Sequence, residues 1–148
     1  IGRNGKKFNI LKFRTMIVDA EKEGGPQFAS KNDSRITLAG RFLRKTRMDE
    51  LPQFINILKG DMNLIGPRPE REVFIKELST EIPFFRIRNL VKPGLTGWAQ
   101  VNHEYTTDTE EALLKLQYDL YYIRHRSFFL DLQIMFKTLP VIFKLKGV

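Results

Sequence analysis

Asp49 and Glu50 stand side by side in a stretch crowded with bases. Arg41, Arg44, Lys45 and Arg47 precede them, and Arg68 follows inside Gly66-Pro67-Arg68-Pro69. Two adjacent carboxylates among cations suit the handling of a phosphate ester, which needs a nucleophile or base, neutralised charge and fixed orientation. Asp49 is a candidate nucleophile able to form an acyl phosphate, and its place beside Arg47 at a helix start should keep it ionised. Glu50, with Asp49 next to it, offers hard oxygen to Mg²⁺, an ion that takes one or two carboxylates together with substrate phosphate. Lys12, Arg14, Arg44 and Arg68 are the candidate phosphate clamps. Pro67 and Pro69 fix the backbone on either side of Arg68, which pre-organises its fork for a bidentate grip. The plain alternative makes Asp49 a helix cap and Glu50 an ordinary first-turn acid.

These residues must be positioned by the elements around them. Leu51, Phe54, Ile55 and Leu58 recur at the spacing of one buried helical face. With Pro52 in the first turn and Gly60 past the end, a helix is expected over residues 50–59, with Asp49 at or next to its N-cap. Residues 7–14 alternate well enough for a short strand, with Phe8, Ile10 and Phe13 on the apolar side and Lys12 and Arg14 opposite. A short helix is expected over 15–21, then a loop over 22–32 around Gly24-Gly25-Pro26. Asp33 or Ser34 can cap a helix with Ile36, Ala39, Gly40 and Leu43 on its apolar face. Residues 70–79 read as helical up to a stop at Pro83, and 95–102 as irregular or extended. Thr107 and Glu110 form a capping box for a helix that buries Leu113, Leu116, Leu120 and Ile123. Residues 128–145 are strongly apolar, with Pro140 expected to kink them and Lys137, Lys144 and Lys146 late. They fit an interfacial membrane helix or a C-terminal core helix.

The 148 residues suit one domain with a real core, and the absence of cysteine excludes disulfides and thiolate metal sites. A net charge of +8 and a pI near 9.8 imply an anionic partner: nucleic acid, anionic lipid or a phosphorylated small molecule. No apolar run is long enough to span a bilayer. The chain opens on Ile1 rather than Met, and is expected to be a piece of a longer protein. No Walker or dinucleotide glycine motif is present, and His103 and His125 lack metal-ligand spacing.

Four blocks carry a resemblance: KFRTM (12–16), DELPQFINILKGDMNLIGPRPE (49–70), KPGLTGWAQVN (92–102) and YDLYYI (118–123). Their order resembles that of the bacterial sugar transferases, the monotopic polyprenyl-phosphate phosphoglycosyl transferases that begin exopolysaccharide, O-antigen and glycan assembly. The resemblance implies transfer of a sugar-1-phosphate from a UDP-sugar to undecaprenyl phosphate, with release of UMP. It assigns Asp49 as nucleophile, forming a covalent phospho-sugar, and Glu50 to the Mg²⁺ site. Arg44 and the Pro67-Arg68-Pro69 turn would hold diphosphate or nucleotide, with Lys12, Arg14, Thr15 and Gln100 near the same pocket. It also implies an N-terminal membrane segment ahead of Ile1, and a catalytic domain on the cytoplasmic face of the bacterial inner membrane. Where many relatives continue VN with Gly-Arg, this chain has His103-Glu104, so the resemblance does not carry a substrate contact from that Arg over to this chain, and a different sugar preference is expected.

The expected fold is α+β: a predominantly helical single catalytic domain over 1–148, with a short N-terminal strand pair and a membrane-interfacial C-terminal helical segment. The expected partners are UDP-sugar, undecaprenyl phosphate and an anionic membrane surface. Nucleic acid is not expected, since no base-stacking or groove-reading motif accompanies the charge. Homo-oligomerisation is left open. The reading from another class is a non-catalytic membrane-surface binding or regulatory module of the same fold.

Overall fold

The computed structural model describes residues 1–22, 24–27, 33–103 and 109–143. It is mostly helical, with a sheet of two short strands. In chain order these elements are α1 (Leu38–Lys45), α2 (Gln53–Leu58), β1 (Asn63–Ile65), α3 (Glu72–Glu81), β2 (Gly94–Thr96), α4 (Trp98–Asn102), α5 (Thr109–His125) and α6 (Phe128–Phe143). Single 3-10 segments lie at Arg3–Gly5, Met48–Glu50 and Phe85–Leu90.

The strand pair is not at the N-terminus. β1 and β2 pair in parallel, Asn63 opposite Gly94 and Ile65 opposite Thr96. Residues 7–14 form no strand, because other groups take their backbone. Asn56 donates to the Asn9 carbonyl and accepts from Leu11 N–H, both at 2.9 Å, and Phe13 N–H donates to the Asp49 carbonyl at 3.0 Å. Phe13 is exposed, so the alternation buries no face. Residues 15–21 form a bridge and turns rather than a helix, with Met16 paired antiparallel to Ile36.

The cap of α1 is Thr37, whose hydroxyl accepts from Gly40 N–H at 2.9 Å. Asp33 instead holds Arg35 and the Arg35 N–H. Within 95–102, Leu95 and Thr96 are extended in β2 as expected, whereas residues 98–102 are helical. The 107–110 capping box, the Glu104 departure, part of the 22–32 loop, and Lys144 and Lys146 lie outside the described residues or side chains.

Two apolar clusters meet along α5. Ile75, Ile82 and Phe85 pack with Leu116, and Ile65, Leu130 and Ile134 pack with Tyr122. The Tyr122 hydroxyl donates to Asp131 at 3.0 Å and lies 3.4 Å from the Ile65 carbonyl, pinning α6 and β1 to α5. Leu113, expected inside, is 45% exposed. The core reading of the C-terminal segment holds for one side of α6. Leu130 and Ile134 are core, whereas Phe128, Phe129, Phe136 and Leu139 are exposed, and the helix runs through Pro140.

The largest departure concerns α2. Its apolar residues point outward, with Phe54 48%, Ile55 47% and Leu58 86% exposed, while Gln53 and Asn56 are each 2% exposed. The helical period is as expected and the orientation is inverted. Asn56 must turn inward because it clamps residues 9–11 beneath the helix.

Candidate active site

Asp49 and Glu50 lie in the 3-10 segment Met48–Glu50, entered through Arg47 at a left-handed φ of 59°. Asp49 is therefore not the N-cap of α2, which begins at Gln53 after Pro52. Both carboxylates are buried, yet their surroundings differ. Glu50 Oε1 accepts from Arg68 Nη2 at 2.5 Å and from Lys12 Nζ at 3.2 Å, and Arg47 stands 4.0 Å from Oε2. Burial alone would push Glu50 up, but Arg68, Lys12 and Arg47 overcome it and hold its pKa at about 2.

No hydrogen bond or ion pair reaches the Asp49 carboxylate among the described residues. Burial raises its pKa, the Glu50 charge adds to the rise, and Lys12, Arg44 and Arg68 act against it. Arg47, expected to support Asp49, faces Glu50 instead, and Asp49 lies in a 3-10 segment rather than at the start of α2. Lys12 is itself lowered, first by burial and then by Arg68, with Glu50 opposing.

Glycines let the supporting elements approach. A Cβ on Gly40 would lie 2.0 Å from the Thr15 carbonyl oxygen, so α1 sits directly on residues 12–16. That contact lets Arg44 Nε donate to Thr15 Oγ1 at 2.9 Å. Thr15 is buried and serves to aim Arg44. A Cβ on Gly94 would meet Gly66 N at 2.1 Å. Gly66 N–H donates to the Thr96 carbonyl and Gly94 N–H to the Pro67 carbonyl, each at 2.9 Å, which ties the 66–69 turn to β2. Pro67 is buried and Pro69 half-buried on either side of Arg68.

Lys12, Arg44, Thr15, Arg68 and its two prolines therefore gather around the acid pair. Arg14 is exposed, and no hydrogen bond or ion pair ties it to them among the described residues. Gln100 is turned to its own loop, donating to the Leu95 carbonyl at 3.0 Å. Sequence reasoning missed Arg88, Asp119, Glu70 and Lys115. Arg88 Nη2 lies 2.8 Å from Asp119 Oδ2, and Lys115 pairs with Glu70. The signal available was polar residues at core positions, Arg88 among apolar neighbours and Asp119 inside YDLYYI.

Among the described residues no three His, Cys, Asp or Glu side chains gather as a metal cage. The donor set still fits a magnesium ion that draws most ligands from substrate phosphate and water. Glu50 Oε2, which among the described residues has only Arg47 at 4.0 Å, and the Asp49 carboxylate, unpaired among those residues, are the oxygens that would hold it.

The sequence model of the bacterial sugar transferases matches residues 1–145. Over 142 residues the chain is 48% identical to the UDP-N-acetylgalactosamine-undecaprenyl-phosphate N-acetylgalactosaminephosphotransferase of Aeromonas hydrophila, covering 96% of this chain and 33% of that protein. It is 44% identical over 139 residues to the UDP-glucose:undecaprenyl-phosphate glucose-1-phosphate transferase of Escherichia coli (strain K12), covering 93% and 30%. To the undecaprenyl-phosphate galactose phosphotransferase of Salmonella typhimurium it is 35% identical over a 161-residue alignment, covering 99% and 33%. The chain thus spans about a third of the length of these curated relatives.

Proposed function

Because the chain belongs to the bacterial sugar transferase family, we propose that it moves a sugar-1-phosphate from a UDP-sugar to undecaprenyl phosphate through a covalent intermediate on Asp49. The observation that carries this reading is the unequal treatment of the acid pair. Glu50 is occupied by Arg68 and Lys12, while Asp49 keeps unpaired oxygens and a raised pKa beside it. An unpaired carboxylate of higher basicity is the better nucleophile.

In the first step an Asp49 oxygen attacks the phosphorus that bears the sugar. The bond from that phosphorus to the bridging oxygen breaks, and UMP leaves with the electron pair. In the second step an oxygen of undecaprenyl phosphate attacks the same phosphorus, and the Asp49 carboxylate departs, forming the lipid-diphospho-sugar. Arg68, Arg44 and Lys12 neutralise phosphate charge and orient the diphosphate. A magnesium ion held by Glu50 and Asp49 would supply further charge neutralisation on the phosphate oxygens when bound.

The acceptor is a lipid, so the site must work at a membrane face, which we assign to the cytoplasmic side of the bacterial inner membrane. Among the described residues no helix is long and apolar enough to cross a membrane. Support for surface docking comes from the outward apolar residues of α1 and α2, Leu38 at 84%, Phe42 at 63% and Leu58 at 86% exposed, together with those of α6. Arg41 and Lys45 of α1 and Lys59 at the end of α2 are also exposed, and the chain carries a net charge of +8.

The test uses the intact protein in nanodiscs with Mg²⁺ and radiolabelled UDP-sugars, without acceptor. UMP release and label retained on denatured protein, both lost in Asp49→Asn, are the expected result. Transfer to added undecaprenyl phosphate without retained label would replace the covalent route by direct attack. Neither label nor transfer across a broad sugar panel would leave a membrane-binding module.

A further inference from the structure

Arg88 comes from the 3-10 segment after α3 and is only 2% exposed. Its guanidinium is held on several sides. Nε donates to Asp119 Oδ2 at 3.0 Å, the Phe85 ring lies 5.2 Å from Cζ, and Nη1 stands 3.8 Å from Glu70. The remaining bond leaves this cluster for the active site: Nη2 donates to the Arg68 backbone carbonyl at 2.9 Å. Arg68 is thus tied at its carbonyl to a buried ion pair and at its guanidinium to Glu50.

We propose that Arg88, clamped by Asp119, is a positioning residue that sets the direction in which Arg68 meets Glu50 and a nucleoside diphosphate. The proposal rests on the transferase reading above, which makes Arg68 a diphosphate contact. Pro67 sets the chain ahead of Arg68, and Pro69 confines Arg68 to the broad extended region without choosing one carbonyl direction within it. The Arg88 bond makes that choice, and the rotation steers where the side chain leaves the backbone. The pair is also a poor device for stability alone. Buried ion pairs roughly break even against apolar residues of similar volume, and Arg88 Nη1 is buried here with no hydrogen-bond acceptor. What an apolar pair at these positions could not do is donate to the Arg68 carbonyl.

The test is a double-mutant cycle on the intact protein, reading UMP release and, separately, UDP affinity by calorimetry. Arg88→Gln should lower kcat/KM and UDP affinity by about ten- to a hundredfold, the range expected for a misaimed binding group. In an Arg68→Ala background the same change should cost less than about twofold, because the group it aims is gone. Arg88→Lys keeps the charge opposite Asp119 but cannot reach both partners, and serves if the Gln variant does not fold. It should retain most of the thermal stability and still show the cycle. Equal losses in both backgrounds would overturn the proposal, since a merely structural Arg88 gives additive effects. A wild type that binds UDP without releasing UMP from UDP-sugars would sink the transferase reading, and the affinity cycle would still decide the role of Arg88. Failure to bind UDP would overturn both.

Discussion

Arg68 Nη2 donates to Glu50 Oε1 at 2.5 Å, and this bond joins the Pro-Arg-Pro turn to the acid pair. It is the closest of the contacts that hold Glu50 at about 2, against an ordinary value of 4.5. A depressed carboxylate adds stability above its unfolded pKa and loses it as pH falls through the folded one. The Glu50 contribution, on the order of 3 kcal/mol, is therefore present at pH 7 and disappears toward pH 2. Arg68→Ala should lower unfolding free energy at pH 7 by about 1–3 kcal/mol. The gap to wild type should narrow steadily between pH 4.5 and 2. Denaturant unfolding at several pH values reads this directly, and a gap that is independent of pH would show that Arg68 acts elsewhere.

Asp49 has the opposite sign. Burial and the adjacent Glu50 charge raise its folded pKa above 3.8, so ionising it disfavours the folded state once pH rises through that value. Asp49→Asn should accordingly abolish label retention while raising stability at pH 7 by about 0.5–1 kcal/mol. Below pH 3.8, where both states hold the proton, the gain should vanish. Thermal melts at pH 7 and pH 3 check it. A variant less stable than wild type at pH 7 would show that the Asp49 carboxylate is a structural acceptor.

Asn56 joins α2 to the segment that carries Lys12, through Asn9 and Leu11. Asn56→Ala strands one backbone donor and one acceptor, and should cost about 2 kcal/mol. Freeing the segment also frees Lys12 from Glu50, so UDP-sugar KM should rise with it. Urea unfolding and steady-state kinetics together test the link, and a stability loss without a KM change would break it.

Gly40 makes a comparable demand without any polar bond. Its hypothetical Cβ meets backbone atoms of Thr15 that cannot rotate away. Gly40→Ala should push α1 off residues 12–16, cost about 1–3 kcal/mol, and weaken substrate binding through the lost Arg44–Thr15 bond. Unchanged affinity in a folded variant would show that Arg44 needs no support from Thr15.

Much of this site was legible because its members announce themselves locally. Asp49, Glu50 and Arg68 are charged residues at unusual density around two prolines, and the motif blocks supply their order. Asp119 and Arg88 were not legible, because they lie 31 positions apart and nothing local says that an Asp on α5 faces an Arg on a 3-10 segment. The strand pair was misplaced for a related reason. Residues 7–14 have strand-like alternation, but their backbone partners are a side-chain amide and one carbonyl, which no periodicity encodes. For α2 the period was right and the direction wrong. Amphipathicity separates two faces, and the inward one is assigned to the apolar side only if the surroundings are water.

That inversion leaves Leu58, and on α1 Phe42, turned outward. If Leu58 and Phe42 face lipid, replacing each by Ser should leave unfolding free energy within about 0.5 kcal/mol of wild type, as expected for exposed positions. Each large side chain moved from water into lipid contributes about 1.5–3 kcal/mol, so partition onto vesicles should fall by roughly tenfold or more per substitution. Vesicles containing anionic lipid supply the surface that the charge of +8 favours, and raised salt should weaken binding of wild type and variants alike. Co-sedimentation with such vesicles, beside urea unfolding of the same proteins, separates the cases. A large loss of stability with unchanged partition would mean that these side chains are core residues and that another surface meets the membrane.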